Sequence, residues 1–164
     1  MSTIVKRVIW GKNPRQTLLR ALILTIVCFV VFGFILLPIR ITGISMEPAY
    51  RDGSVNFVNT LRYRFREPAR GDVVAIRLAG RQILLLKRVV GLPGERLMFK
   101  KGTLIINGHL TPEPYLKSSY DWTTPEVEIS LDEFFVVGDN RQMPPEAHDF
   151  GRVQRHRIAG GPLF

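Results

Sequence analysis

Between Arg20 and Arg40 the chain runs for 19 residues, Ala21 to Ile39, without a charge. At 1.5 Å per residue this is about 28 Å of helix, enough to cross the hydrocarbon core of a bilayer. The run is long for the apolar region of a cleaved leader, and Pro38-Ile39-Arg40 offers no small-residue cleavage site. It reads as a retained membrane anchor rather than a removable segment or a buried core helix. From Ile41 onward the pattern changes to alternation with period two and short apolar runs, the mark of strands. Strands are expected over Val55–Val58, Asp72–Leu78, Gln82–Val90, Leu97–Phe99, Thr103–Ile106, Val127–Ser130 and Phe134–Val137. Ala79-Gly80-Arg81 joins the second and third as a hairpin, and Asn107-Gly108 is a strong type I′ turn signal. Gln142 to His148 is Pro-rich and loop-like. The expected fold class is mainly β: a single N-terminal transmembrane helix followed by one all-β domain. The divisions are 1–20 as a basic tail, 21–39 as the anchor and 40–164 as the β domain, a size at which one core suffices.

Charge sets the orientation. The chain carries a formal +9, of which Lys6, Arg7, Lys12, Arg15 and Arg20 contribute five before the apolar run, with no acid among them. A basic arm that abuts an apolar run marks the cytoplasmic flank of a membrane helix rather than a nucleic-acid ligand. Residues 1–20 are therefore expected in the cytoplasm and everything after Arg40 outside it. The insert Asn59–Arg70 interleaves arginines with aromatics, and beside an anchor it is expected at the lipid headgroups rather than on single-stranded nucleic acid. The one cysteine, Cys28, lies in the apolar run, so no intramolecular disulfide is available. His109, His148 and His156 show no ligand spacing, so no metal site and no cofactor are expected.

Two residues suggest chemistry. Ser45 sits in Gly43-Ile44-Ser45-Met46-Glu47-Pro48, a Gly- and Pro-punctuated turn just beyond the apolar run. A serine hydroxyl is almost wholly protonated at neutral pH and needs a base to become a nucleophile. Lys87 ends the aliphatic run Ile83-Leu84-Leu85-Leu86. Such surroundings desolvate an amine and favour its neutral form, which a general base requires. Alone, each signal is weak: a turn serine and a lysine on the solvent face of an edge strand are the commoner cases.

Taken together, the motifs resemble bacterial type I signal peptidases, membrane-anchored Ser–Lys proteases of family S26. Ser45-Met46-Glu47-Pro48 matches that family's S-M-x-P nucleophile box, and Gly71-Asp72-Val73-Val74 its G-D-V/I-V strand. Lys87-Arg88-Val89-Val90-Gly91-Leu92-Pro93-Gly94-Glu95 matches K-R-x-x-G-x-P-G-D/E. Leu104–Gly108 followed by Glu113-Pro114-Tyr115-Leu116 is similar to "ING…EPYL". Phe135–Arg141 (FVVGDNR) resembles the last box, and Gly151-Arg152-Val153 the closing G-x-V. Five boxes in order behind an anchor are specific where one is not.

The resemblance implies a membrane-bound serine endopeptidase that cuts signal peptides from exported preproteins after small residues of the Ala-x-Ala type. It implies Ser45 as nucleophile and Lys87 as general base, with the Ser45 N–H donating to the oxyanion. Arg88 and Asp139 match positions that support the site by pairing with each other. Ile44, Met46, Leu84 and Leu86 are the candidates for lining the substrate pockets. The implied partners are signal peptides and the lipid bilayer of the cell membrane, with no nucleic acid and no metal. Two departures stand out. Gly43 occupies a position where many relatives carry a serine that adds a second oxyanion donor. The final box usually continues N-S-x-D-S-R, whereas here it reads Met143-Pro144-Pro145-Glu146-Ala147-His148. Aligned without gaps, Pro144 replaces a serine that hydrogen-bonds the lysine, and Glu146 keeps only the charge of an aspartate. The alternatives are a processing peptidase with few clients, such as one maturing a conjugal pilin, and an inactive anchored module that binds signal peptides. A self-cleaving repressor shares the Ser–Lys chemistry but lacks an anchor.

Overall fold

The computed structural model describes residues 13–78, 84–118, 120–148 and 151–164. The chain enters a helix, α1 (Pro14–Val30), which continues as a π-helical turn over Val31–Ile35. Pro14 stands in the first turn, where its missing N–H leaves no bond unmade. Pro14 to Ile35 spans 22 residues at a mean hydropathy of 2.7, and none of its most apolar stretch is buried. Among the described residues this is the one helix long and apolar enough to cross a membrane.

Helix and apolar run are not coextensive. The helix starts before the last two cations of the basic segment, Arg15 and Arg20, and it stops short of Ile39. Leu36–Arg40 leave it to form a strand, β1, antiparallel to β2 (Val55–Asn59). Pro38 explains the change: it disfavours helix in the residue before it and has no N–H to donate, which an edge strand tolerates. Thr60 receives the helix end, its Oγ1 donating to Phe34 O at 2.8 Å and its N–H to Ile35 O at 2.9 Å.

The remaining strands are β3 (Val73–Arg77), β4 (Leu84–Gly91), β5 (Arg96–Lys100), β6 (Thr103–Ile106), β7 (His109–Thr111), β8 (Val127–Glu128), β9 (Glu133–Val137), β10 (Gly151–Gln154) and β11 (Ile158–Pro162). They make a seven-stranded sheet ordered β1-β2-β11-β3-β4-β9-β10 and a four-stranded sheet ordered β7-β6-β5-β8. Every pairing is antiparallel. The all-β class and the seven expected strands are present. The Asn107-Gly108 turn has φ of 50° and 80°, the two positive values that a type I′ turn requires. Residues 79–83, the expected hairpin turn and the first two positions of its second strand, lie outside the described residues. Four strands had no forecast: β1, β7, β10 and β11.

Three apolar clusters hold the sheets. One, around Leu97, Phe99, Leu104 and Trp122, joins the small sheet to Val90 and Val137. A second gathers Tyr63, Val74, Ile76, Val89, Phe134, Val136 and Ile158. The third packs Ile41, Met46 and Val58 against Val73, Ala75 and Leu86 beneath the Ser45 turn. Strand β4 contributes to all three, so its position is over-determined. The Asn59–Arg70 insert is used internally rather than left wholly for headgroups. Tyr63 is buried, Arg66 donates to Asp72 at 2.8 Å and stacks on Tyr63 at 4.9 Å, and Arg62 donates to Pro162 O. Of its aromatics Phe65 alone stands out, at 91% exposure.

Candidate active site

Ser45 lies in an irregular turn over residues 43–50, between β1 and β2. Gly43 opens it at φ +94°, a conformation that favours glycine, and donates its N–H to Asp52 Oδ1 at 2.8 Å. Met46 anchors the turn from below at 2% exposure. Glu47 N–H donates to Ile44 O and Tyr50 N–H to Met46 O, both at 3.0 Å. Ser45 itself is partly exposed and lines an open cleft.

Lys87 approaches from the sheet. Strand β4 lies between β3 and β9, with Lys87 opposite Val74 of β3. The ordinary alternative, a solvated lysine on an edge strand, does not describe it: Lys87 is 3% exposed. Its Nζ stands 2.7 Å from Ser45 Oγ across a sequence separation of 42 residues. An amine and a hydroxyl at this distance exchange a proton directly when the amine is neutral.

The next residue, Arg88, is tied to the loop after β9. Its Nε donates to Asp139 Oδ1 at 2.7 Å, Nη2 donates to Asp139 Oδ2, and Nη1 donates to Gly71 O at 2.7 Å. Its guanidinium also stacks on the Tyr115 ring at 4.2 Å. The Asp139 side chain is 1% exposed and that of Arg88 12%, so this is a desolvated bidentate pair. Asn140 completes the clamp, donating from its backbone N–H to Ser45 O at 3.0 Å and from Nδ2 to Ile44 O at 3.1 Å. The loop approaches so closely that a Cβ on Gly138 would stand 2.2 Å from Ser45 O. One loop thus holds both the nucleophile's turn and the neighbour of Lys87.

A cleft opens beside Ser45, lined by Ile39 to Gly43, by Met46 and by Leu84, Leu85 and Leu86. Met46, Leu84 and Leu86 were expected there. Ile44, expected with them, is instead 48% exposed and outside the lining, because the turn carries its side chain to solvent while the two residues after it, Ser45 and Met46, face the cleft. Ile39, Ile41 and Leu85 line the cleft without having been singled out. Gly138 and Asn140 lay inside the matched FVVGDNR box but were given no role, and Asp52 was not singled out.

The divergent segment Met143–His148 folds over the loop that follows β9. Pro144 and Glu146 are exposed, on either side of the start of a 3₁₀ turn over Pro145–Ala147. The side chain that turns inward is His148, 8% exposed, whose Nε2 lies 2.9 Å from Asn140 O and whose ring meets Trp122 edge-on at 4.9 Å. Trp122 Nε1 donates to Met143 O at 3.1 Å. Among the described residues no three His, Cys, Asp or Glu side chains gather as a metal site would need.

Residues 15–163 match the family model described as signal peptidase, peptidase S26. A signal peptidase I of Bacillus licheniformis is 32% identical over 93% of this chain and 89% of its own. Signal peptidase IB of Staphylococcus aureus (strain N315) is 31% identical over 85% of this chain and 82% of its own. A solved signal peptidase I from Enterococcus faecalis V583 is 27% identical over 58% of this chain and 97% of its own, with a TM-score of 0.47.

Proposed function

The chain belongs to the signal peptidase family, peptidase S26, and from that premise we propose that Ser45 and Lys87 are the nucleophile and general base of its endopeptidase reaction. The observation that carries the assignment is the 2.7 Å contact between Ser45 Oγ and the buried Lys87 Nζ. Neutral Lys87 takes the Ser45 proton as Oγ forms its bond to the scissile carbonyl carbon. The oxyanion so formed faces the Ser45 N–H, a contact of the kind worth a few kcal/mol in the transition state. Gly43 has its own N–H engaged with Asp52, which leaves it no part in that stabilisation. The Lys87 ammonium then returns the proton to the departing amine as the carbon–nitrogen bond breaks. In the second half-reaction Lys87 deprotonates water, which attacks the acyl ester and restores Ser45. Arg88 and Asp139 move no proton; their pairing keeps β4 and the Gly138–Asn140 loop in register.

The substrate is a preprotein whose signal peptide lies in the same bilayer as α1. Pro14–Ile35 is the anchor, with the basic N-terminal segment in the cytoplasm and the sheets on the far side. Strand β1 follows the helix directly, so Ser45 operates close to the surface from which a cut site emerges. The narrow, largely aliphatic cleft suits small residues before the cut, as in Ala-x-Ala. The test is the purified full chain in detergent with a preprotein carrying Ala-x-Ala, beside Ser45→Ala. Wild type is expected to release a mature protein whose first residue follows the second alanine, and Ser45→Ala to release none. Cleavage surviving in Ser45→Ala rejects the dyad; wild-type cleavage at other residues only rejects the pocket reading.

A further inference from the structure

Behind the loop that clamps Ser45 lies a second buried ion pair that the reaction does not use. Glu113 and Arg141 meet at 2.6 Å with side chains 6% and 0% exposed. Four donors converge on the carboxylate: Arg141 Nη1 at 3.0 Å and Nη2 at 2.6 Å, Tyr115 Oη at 2.7 Å and Tyr120 Oη at 2.6 Å. The guanidinium is walled by Phe99, Tyr120 and Trp122, with ring centroids 5.2, 5.1 and 5.5 Å away.

Stability alone is a poor reason for such a knot. Taking both charges out of water costs several kcal/mol per ion, and a well-packed apolar replacement is often no less stable. An apolar replacement cannot, however, donate to a particular carbonyl. Arg141 Nε donates to Gly138 O at 2.9 Å, fixing the first residue of the loop whose next two residues hold Arg88 and Ser45. Glu113 works toward the same end from the other side. It fixes the hydroxyl of Tyr115, whose ring lies under Arg88. Burial, together with Glu113, pushes both tyrosine hydroxyls above their ordinary range, which keeps them donors.

We propose that Glu113 and Arg141, with Tyr115 and Tyr120, are positioning residues that hold the Ser45–Lys87 separation through the Gly138–Asn140 loop and Arg88. The small sheet thereby gains a role in catalysis, since Phe99 of β5 forms one wall of the knot. The proposal rests on the Ser45–Lys87 reading. Its test uses two variants of the full chain, Arg141→Lys and Tyr120→Phe, each measured for kcat, KM and melting. Arg141→Lys keeps the charge and removes the Nε–H and the planar fork. Tyr120→Phe removes one of the four donors and leaves the pair in place. A folded Arg141→Lys is expected to lose ten- to a hundredfold in kcat with KM within twofold. Tyr120→Phe is expected to lose threefold or more in kcat at a temperature where it is fully folded, with its melting point lowered by only a few degrees. Should Arg141→Lys fail to fold, Tyr120→Phe decides the matter. A folded variant of either kind with wild-type kcat overturns the proposal, as does a loss of kcat that only tracks the unfolded fraction. If Ser45→Ala is dead while both variants are fully active, this inference alone fails. If Ser45→Ala still cuts, the dyad fails and the positioning role falls with it.

Discussion

Gly138→Ala is a one-carbon perturbation aimed at the joint between the loop and the nucleophile. An ideal Cβ there would stand 2.2 Å from Ser45 O, 3.1 Å from Ser45 C and 3.1 Å from His148 Nδ1. Ordinary contact begins near 3.4 Å, so the Ser45 carbonyl must retreat by more than 1 Å. Gly138 is not in the left-handed region, so alanine suits its backbone and the contact alone is tested. The yielding partner is the half-exposed Ser45 turn, because Lys87 is fixed within β4. Retreat stretches the 3.0 Å bond from Asn140 N–H to Ser45 O and takes Oγ out of reach of Lys87 Nζ, now 2.7 Å away. Overpacking of this kind costs about 1–3 kcal/mol, and a misplacement of about 1 Å at reacting atoms costs on the order of a hundredfold in rate. The assay is steady-state cleavage of a purified preprotein with a parallel thermal melt. We expect kcat to fall about a hundredfold with KM little changed, and the melting midpoint to drop by about 3–10 °C. A folded Gly138→Ala with kcat within threefold of wild type would show that this contact does not set the position of Ser45.

Three further outcomes follow from the geometry. Asp139→Asn leaves the Arg88 guanidinium buried without its counter-charge; it should destabilise the fold by about 3 kcal/mol and depress kcat, checked by denaturant titration and turnover. Burial raises Asp72, but hydrogen bonds from Arg66 and the Ala69 N–H, with the Arg66 and Arg62 charges, outweigh it and hold the carboxyl below its ordinary value. A depressed folded value contributes stability above the unfolded titration and loses it as pH falls through the folded one. Asp72→Asn should therefore melt below wild type at pH 7, and the gap should close in acid; a gap that persists unchanged in acid contradicts this. Protonating Lys87 removes the base, so kcat/KM should rise with pH to a plateau, and a flat profile between about pH 5 and 9 would contradict its role.

Local signals in the chain spoke clearly where structure is local. The alternating strands and the Asn107-Gly108 hairpin follow from period and turn chemistry. Strand β11 was hidden because Ile158-Ala-Gly-Gly-Pro reads as a breaker. Its glycines are there for close approach: a Cβ on Gly160 would stand 2.3 Å from Asn59 O, and one on Gly161 2.7 Å from Arg62 Cδ. Strand β1 was hidden inside the apolar run, where hydropathy alone does not separate the end of a helix from the start of an edge strand. The Asn59–Arg70 arginines read as headgroup ligands because their acid, Asp72, and their carbonyl, Pro162, become neighbours only on folding. Ser45 and Lys87 were each ambiguous alone, and motif order rather than periodicity paired them. Glu113 and Arg141, 28 positions apart, carried no joint signal, since convergence of four donors on one carboxylate is a property of the packed core.

Cleavage by this mechanism requires the Lys87 amine to take the Ser45 proton across 2.7 Å. The direct measurement is turnover of an Ala-x-Ala preprotein by Lys87→Met, which keeps the length and removes the amine, with a melt to establish that the variant is folded. The expected result is a folded protein that releases no mature product at any pH. Cleavage by folded Lys87→Met at a rate approaching wild type would contradict it.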